Sequence, residues 1–201
     1  MFLALATDPE SISRYLLSVP SEHVVVREHG APEVGLTGAA VLVALVQRPE
    51  GATVLLTKRT DHLRDHPGQI SFPGGRVEPE DVSPEHTALR EAQEEIGLDP
   101  SLPKILGFLP EYRTGTGFSV TPVVALLNPS FELSLDAFEV AEAFEVPLSF
   151  LLNPINYEQH VIDVRGEPRQ YYAMRFGPYF IWGATAGMIV SLAQRCGIVP
   201  E

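Results

Sequence analysis

The sequence predicts an α/β or α+β domain in which a mixed β-sheet is sandwiched between helices. Two long apolar runs rich in β-branched residues, 35–46 and 119–127, have the composition of buried strands. A helix with clear start and stop signals lies between them, and residues 183–195 form an apolar pattern typical of a final helix. Strands with helices at both ends favour a layered arrangement around one sheet.

The other elements follow from local patterns. An amphipathic helix is predicted over residues 8–19 and a second strand over 53–58, after the turn signal Pro49-Glu50-Gly51. Residues 59–82 contain Gly, Pro and polar residues without periodicity, which is long for a loop with no function. We further expect a strand at 105–109, a short helix at 138–144 ended by Pro147, and a hairpin of 157–164 and 170–176 that turns near Gly166.

The central helix is the best-defined element. Ser83 is a suitable N-cap, Pro84 occupies the first helical position, and Glu85 lies in the first turn, where it favours the helix dipole. The apolar periodicity runs through Ile96, and Gly97 is a suitable C-terminal stop. This predicts a helix from residue 84 to residue 96.

Composition bounds the domain organisation and the partners. The 201 residues suit a single domain, with a helical N-terminal extension (1–34) and a main body (35–201). The net charge of −12 argues against nucleic-acid and anionic-membrane partners, because both are polyanions. A single cysteine, Cys196, together with the lack of a signal-peptide or membrane-span pattern, predicts a cytoplasmic protein.

Three carboxylates crowd one face of the central helix. Glu91, Glu94 and Glu95 fall within an arc of about 100°. Such a cluster is by itself usually a solvated acidic face, and its like charges repel. A divalent cation reverses that repulsion, because Mg²⁺ and Mn²⁺ prefer hard oxygen ligands. Gly74-Gly75 upstream would let backbone approach a metal and phosphate closely, and Arg90 can pair with one carboxylate and orient it.

In this context residues 75–98 resemble the Nudix box, a loop–helix–loop motif of the form G-x5-E-x7-R-E-U-x-E-E-x-G-U, in which U is aliphatic. The second half fits from Arg90 to Leu98, with Ala92 as a small residue at the aliphatic position. The first half departs from the pattern. Asp81 stands in place of the first Glu, and eight residues rather than seven separate it from Arg90.

The departure is itself typical of one branch of the family. Residues 55–75, LLTKRTDHLRDHPGQISFPGG, resemble the signature L-L-T-x-R-S-x3-R-x3-G-x3-F-P-G-G of coenzyme A pyrophosphatases, which also have the longer spacing. Thr60 replaces Ser and keeps the hydroxyl. Residues 121–124, 144–148 and 181–186 look like the same branch, so the resemblance covers roughly residues 35 to 190.

The resemblance implies a hydrolase dependent on Mg²⁺ or Mn²⁺ that cleaves coenzyme A or its thioesters to 3′,5′-ADP and (acyl-)4′-phosphopantetheine. It implies Glu91, Glu94 and Glu95 as metal ligands, with the Gly75 carbonyl as a further candidate. The general base is a box Glu or a later one, for which Glu139 and Glu142 are candidates on the predicted 138–144 helix. The expected partner is this small molecule, and homodimerisation stays open.

A local cluster of cationic side chains is the natural phosphate-binding region in so acidic a chain. Phe72, Tyr112 and Phe118 are candidates for stacking on adenine, although aromatic residues in such a domain usually lie in the core. The substrate-binding set that we expect comprises Arg59, Arg64, His66, Gly74, Gly75 and Arg76, with Lys58 and His62 nearby.

Two other functions stay open. The chain could hydrolyse another nucleoside diphosphate derivative, such as ADP-ribose or a dinucleotide, because substrate pockets vary within a fold. It could also be a Nudix-fold binding module without catalysis. Such modules would be expected to lose box carboxylates, whereas Glu91, Glu94 and Glu95 are all present.

Overall fold

The computed structural model describes residues 8–20, 24–63, 66–164 and 166–199, and a nine-stranded mixed sheet forms the centre of this part of the chain. The strands are β1 Val25–Arg27, β2 Thr37–Val46, β3 Thr53–Arg59, β4 Ile70–Ser71, β5 Gly74–Arg76, β6 Lys104–Phe108, β7 Glu111–Arg113, β8 Phe118–Leu127 and β9 Val140–Pro147. The hydrogen-bonded path runs β1-β7-β8-β2-β3-β4, while β5 pairs with β2, β6 with β8 and β9 with β3. Pairing of β2 with β8 is parallel, and that of β3 with β9 is antiparallel.

Helices and a smaller sheet surround this central sheet. The helices are α1 Pro9–Ile12, α2 Pro84–Ile96, α3 Leu148–Leu151 and α4 Ala184–Arg195, and the remaining strands are β10 Glu158–Val164, β11 Glu167–Phe176 and β12 Tyr179–Trp182. The smaller sheet has the strand order β10-β11-β12. The predicted hairpin is confirmed, because its two segments pair as β10 and β11.

Strand β2 explains the layering. Its odd-numbered residue Leu45 packs into the core that contains Leu192 of α4, and its even-numbered residue Leu42 packs into the core that contains Ile96 of α2. Both leucines are fully buried. Since burial of such a side chain is worth about 1.5–3 kcal/mol, an apolar residue at nearly every position fixes the strand between two helical layers. The predicted layered fold is confirmed.

Helix α2 has the predicted bounds. The Ser83 side chain accepts a hydrogen bond from the His86 N–H at 3.3 Å, and Pro84 is the first helical residue. Gly97 ends the helix in the left-handed conformation, with φ of 66°, and its N–H donates to the Ala92 and Gln93 carbonyls. A glycine adopts this conformation without steric cost.

The short helix predicted at residues 138–144 is wrong. Residues Val140–Pro147 form β9, which pairs with β3 along its length. Val140 and Val146 are buried, so cross-strand packing outweighs the helical preference of the Glu and Ala residues between them. Glu142 therefore lies in a strand, and Glu139 immediately precedes it. Glu139 and Glu142 therefore do not share one side of a helix.

The predicted N-terminal helix over 8–19 is too long. Helix α1 ends at Ile12, and a single 3₁₀ turn continues to Tyr15. Leu17 then exchanges two backbone hydrogen bonds of 2.9 Å with Phe108, which requires an extended chain. Among the described residues, the helices are all too short or too polar to cross a membrane.

Candidate active site

Asp81 organises the loop that leads into α2. Its carboxylate is 1% exposed and accepts hydrogen bonds from the Glu78 N–H and the Thr87 hydroxyl, both at 2.9 Å. Arg90 donates to the same carboxylate through Nε at 3.1 Å and Nη2 at 3.0 Å, and the His86 ring nitrogen lies at 2.9 Å. The hydrogen bonds from Arg90 hold the pKa of Asp81 well below its usual value. These hydrogen-bond partners, rather than a position deep in the core, shield the Asp81 carboxylate from solvent.

Arg90 also contacts the carboxylate face of α2, which is formed by Glu91, Glu94 and Glu95. Its Nη1 lies 3.0 Å from a Glu91 oxygen and 3.1 Å from a Glu94 oxygen. Its Nη2 also donates to the Arg76 carbonyl at 3.0 Å, which ties β5 to the helix. Arg90 thus contacts two of the three carboxylates, whereas the sequence indicated a pair with one.

Glu95 is the most deeply buried carboxylate of the three, with a residue exposure of 5%. One oxygen accepts the Gly74 N–H at 3.1 Å, and the other lies 3.8 Å from Arg59 Nη1. Burial raises the pKa of Glu95 to about 7, and the Gly74 hydrogen bond and the Arg59 charge only partly oppose this. Like charges on Glu91 and Glu139 raise it further.

Glycines 74 and 75 allow two different close approaches of β5. Gly74 has a φ of 156°, and a Cβ there would collide with the Ala40 carbonyl and with Val41 of the paired strand β2. A Cβ on Gly75 would overlap the Glu91 carboxylate. Burial raises the pKa of Glu91, while Arg90 opposes the shift. Gly74 thus lets β5 lie against β2, and Gly75 leaves a space between β5 and α2 that the Glu91 carboxylate fills.

The donor set fits a hard divalent cation. Glu91, Glu94 and Glu95 carry oxygen ligands on one face, and the raised pKa values of Glu91 and Glu95 arise partly from like charge that a cation would neutralise. Among the described residues, however, no group of three or more His, Cys, Asp or Glu side chains converges closely enough to hold a metal ion as they stand. Two of the three carboxylates are instead held by Arg90.

Glu139 and Glu142 differ sharply in position. Glu139 is half-buried and raises the pKa of both Glu91 and Glu95 through its charge. Its segment is held beside β3 by Thr60, whose N–H donates to the Glu139 carbonyl at 2.9 Å and whose hydroxyl donates to the Phe138 carbonyl at 2.8 Å. Glu142 is exposed, and one of its oxygens accepts the Tyr179 hydroxyl at 2.5 Å.

The predicted phosphate-binding residues only partly come together. Arg59 lies beside Glu95. Arg76 is exposed at the end of β5, with its guanidinium 5.4 Å from the centre of the Phe118 ring. His66 is exposed in the β3–β4 loop with a positive φ of 56°. Arg64 lies outside the described residues.

Two of the three aromatic candidates belong to the core. Phe72 and Tyr112 are 3% and 5% exposed and pack in the core on the α4 side of the sheet, so neither can stack on a ligand. Phe118 is half-buried. Cys196 is buried, as expected for a structural thiol.

Comparison with known proteins identifies the family. The sequence model of the NUDIX domain family matches residues 36–152. NudL of Enterobacter sp. (strain 638), which is named an uncharacterized Nudix hydrolase, is 44% identical over 162 residues, or 81% of this chain and 84% of that protein. NudL of Escherichia coli (strain K12) is 42% identical over 164 residues with the same coverages. The chain belongs to the Nudix hydrolase family, whose members act on pyrophosphate bonds and generally use divalent metal ions.

The structure is similar to the solved structure of the Ap4A hydrolase of C. elegans in a binary complex. The two chains are 22% identical, the match covers 55% of this chain and 80% of the hydrolase, and the TM-score is 0.48.

Substitution of Asp81 tests the anchoring of the box. We expect Asp81→Asn to lower the free energy of unfolding by about 2–3 kcal/mol, because charge-assisted hydrogen bonds to Arg90 are lost. Since the folded pKa of Asp81 lies below the unfolded one, this contribution is present above about pH 4 and is lost as the pH falls. Urea unfolding of the wild type and of Asp81→Asn measures this difference in the free energy of unfolding. Thr87→Val, which removes one donor and leaves Arg90 in place, should cost only about 1 kcal/mol. Equal unfolding midpoints for Asp81→Asn and wild type would contradict the assignment.

Substitution of Gly75 tests the close approach of β5 and α2. Its φ is not in the left-handed region, so Gly75→Ala adds no backbone strain and acts only by displacing the Glu91 carboxylate. We expect turnover to fall by about tenfold or more, because small displacements of catalytic groups are costly. Gly38→Ala is the matched control, since its Cβ would meet Val77 only at an ordinary 3.4 Å. Full activity in Gly75→Ala would show that Glu91 does not need its present position.

Proposed function

We propose that this protein is a pyrophosphohydrolase dependent on Mg²⁺ or Mn²⁺ that cleaves coenzyme A or its thioesters to 3′,5′-ADP and (acyl-)4′-phosphopantetheine. The observation that carries the proposal is the location of residues 55–75. They run through β3, β4 and β5 and end at Gly74 and Gly75 against the carboxylate face. The segment that resembles coenzyme A pyrophosphatases and the carboxylates of the box therefore belong to one site.

Individual side chains of that segment support this assignment. Arg59 neutralises part of the charge around Glu95. Thr60 keeps the hydroxyl of the family pattern, and this hydroxyl fixes the segment that carries Glu139. Residues that distinguish the branch thus shape the surroundings of the carboxylates.

The proposed chemistry is attack of water on one phosphorus of the pyrophosphate. When bound, the divalent ion would neutralise phosphate charge and make a coordinated water more acidic. Glu91, Glu94 and Glu95 would hold it, with the Gly75 carbonyl as a further ligand. Arg90 orients Glu91 and Glu94, and Arg59, Arg76, Arg64 and His66 would bind the phosphates.

We propose Glu139 rather than Glu142 as the group that accepts the proton of the attacking water. The charge of Glu139 acts on both Glu91 and Glu95, whereas the Glu142 carboxylate accepts a hydrogen bond from Tyr179.

The substrate is tested by turnover of coenzyme A, dephospho-coenzyme A and ADP-ribose with Mg²⁺. We expect coenzyme A to have the highest kcat/KM and to give equal amounts of 3′,5′-ADP and 4′-phosphopantetheine by chromatography. A clear preference for ADP-ribose would contradict the substrate assignment and favour hydrolysis of another nucleoside diphosphate. Absence of turnover with all three would favour a binding module.

Glu95→Gln tests the metal assignment. We expect kcat to fall by about a hundredfold or more, because a carboxylate ligand of the divalent ion is lost. The fold should survive, since the ionised Glu95 is disfavoured by burial and the amide removes that cost. Glu85→Gln, in the first turn of the same helix, is the control and should retain activity. Unchanged turnover in Glu95→Gln would exclude Glu95 from the metal site.

A further inference from the structure

The segment 181–186, which resembles coenzyme A pyrophosphatases, joins β12 to the first turn of α4. No step of the proposed chemistry uses it. The Gly183 N–H donates to the Tyr172 carbonyl of β11 at 3.1 Å, which ties the start of the helix to the small sheet. Thr185 follows in the first turn of α4 and is 3% exposed. A buried hydroxyl at this position needs a hydrogen-bond partner.

The Thr185 hydroxyl connects α4 to the edge of the central sheet. It donates to the Ile70 carbonyl of β4 at 3.0 Å, and the contact is buried. Strand β4 is the last on the hydrogen-bonded path, and among the described residues β3 is the strand that pairs with it. On its outer edge, β4 is therefore met by a side chain of α4 instead of another strand.

The direction of the Ile70 carbonyl explains why this edge needs a donor. The Gln69 carbonyl, one residue earlier, accepts the Arg59 N–H of β3 at 3.0 Å. Successive carbonyls along a strand point to opposite edges, so the Ile70 carbonyl points away from β3. Ile70 is 3% exposed, and a buried carbonyl without a donor is costly. The Thr185 hydroxyl supplies that donor.

Strand β4 closes the β3–β4 loop, to which the proposed phosphate-binding residues Arg64 and His66 belong. In the described part of this loop, the Gln69 N–H donates to the His66 carbonyl at 3.2 Å, just before β4 begins. Strand β4 itself consists of Ile70 and Ser71 alone, so its pairing with β3 is short. The hydrogen bond from Thr185 restrains the same two-residue strand from the side of the helix.

The carboxylate side of the site is anchored separately. Beyond β4, the Pro73 carbonyl accepts the Leu42 N–H of β2 at 2.8 Å, and β5 then pairs with β2. These bonds to a buried central strand do not involve α4. A displacement of β4 would therefore move the β3–β4 loop with little change at Glu91 and Glu95.

We propose that Thr185 is a positioning residue for substrate binding, whose hydroxyl holds β4 and thereby keeps the β3–β4 loop where it can bind the phosphates of the substrate. The inference rests on the proposed function and adds to it a role for the segment 181–186. Thr185 itself does not contact the substrate, because it is buried and its hydroxyl is bonded to Ile70. It acts on substrate affinity rather than on the chemical step.

The kinetic test compares Thr185→Val, which has nearly the same shape without the hydroxyl, with Thr185→Ser, which keeps it. At a temperature well below the melting point of each protein, we expect Thr185→Val to raise KM for coenzyme A about tenfold and to leave kcat within about twofold, because a displaced loop weakens binding without moving the carboxylates. Thr185→Ser should restore most of the affinity. Ser191→Ala is the matched control and should change neither constant, since it removes another buried hydroxyl nearly two turns further along α4.

Amide hydrogen exchange locates the effect without relying on turnover. We expect exchange in peptides that cover residues 66–71 to be about tenfold faster in Thr185→Val, as for the loss of one hydrogen bond, and to be unchanged in β2 and α2. A purely structural role would lower the melting temperature and accelerate exchange throughout the chain without changing KM. If Thr185→Val does not fold, Thr185→Ala and Thr185→Ser form a second pair that differs only in the hydroxyl.

Three results would overturn the proposal: an unchanged KM in a folded Thr185→Val, a fall in kcat without a rise in KM, or equal effects of Thr185→Val and Ser191→Ala. Failure of the proposed function shows separately, in the wild type. If the wild type hydrolyses another nucleoside diphosphate derivative instead of coenzyme A, the proposed substrate is wrong and KM for that derivative tests Thr185. A wild type that hydrolyses none of them contradicts both proposals.

Discussion

The site depends on holding the carboxylates of Glu91 and Glu95 close together against the backbone of β5 at Gly74 and Gly75. Like charges repel, and burial disfavours each of them further, which the raised pKa values of both groups express. A fold keeps such an arrangement only if other contacts enforce it. Here the absence of a side chain on Gly75 leaves room for the Glu91 carboxylate, and the Gly74 N–H donates a hydrogen bond to one oxygen of Glu95.

The enforcing contacts converge on Asp81 and Arg90. Asp81 receives donors from its own loop, from α2 and from Arg90, and Arg90 contacts Glu91, Glu94 and the Arg76 carbonyl. The loop, the helix and β5 are therefore linked through one ion pair. An aspartate at this position, with one additional residue before Arg90, is thus accommodated by the fold, and its short side chain reaches all of these donors.

Local patterns in the sequence predicted the parts of the fold whose causes are local. The bounds of α2 follow from Ser83, Pro84 and Gly97, and the long apolar run of β2 indicated a buried strand. Strand β9 was missed because its cause is non-local: Val140 and Val146 pack across β3, although the segment contains good helix formers. In the site, the box carboxylates and Arg90 were predicted, but Phe72 and Tyr112 proved to be core residues. The hydrogen bonds from Thr60 to the Phe138 and Glu139 carbonyls could not be inferred, because only the pairing of β3 with β9 brings these segments together.

We propose that the carboxylates of Glu91 and Glu95, whose charges repel, form part of a metal site. The most direct test of this assignment is thermal unfolding of the protein with and without Mg²⁺ at a pH above the pKa of Glu95. Binding to the folded state at a hundredfold excess over Kd should stabilise the wild type by about 2.7 kcal/mol and raise its midpoint by several degrees. We expect Glu95→Gln to have an equal or higher midpoint without Mg²⁺ and to lose most of the rise with it. An equal rise in both proteins, or none in the wild type, would contradict the metal assignment.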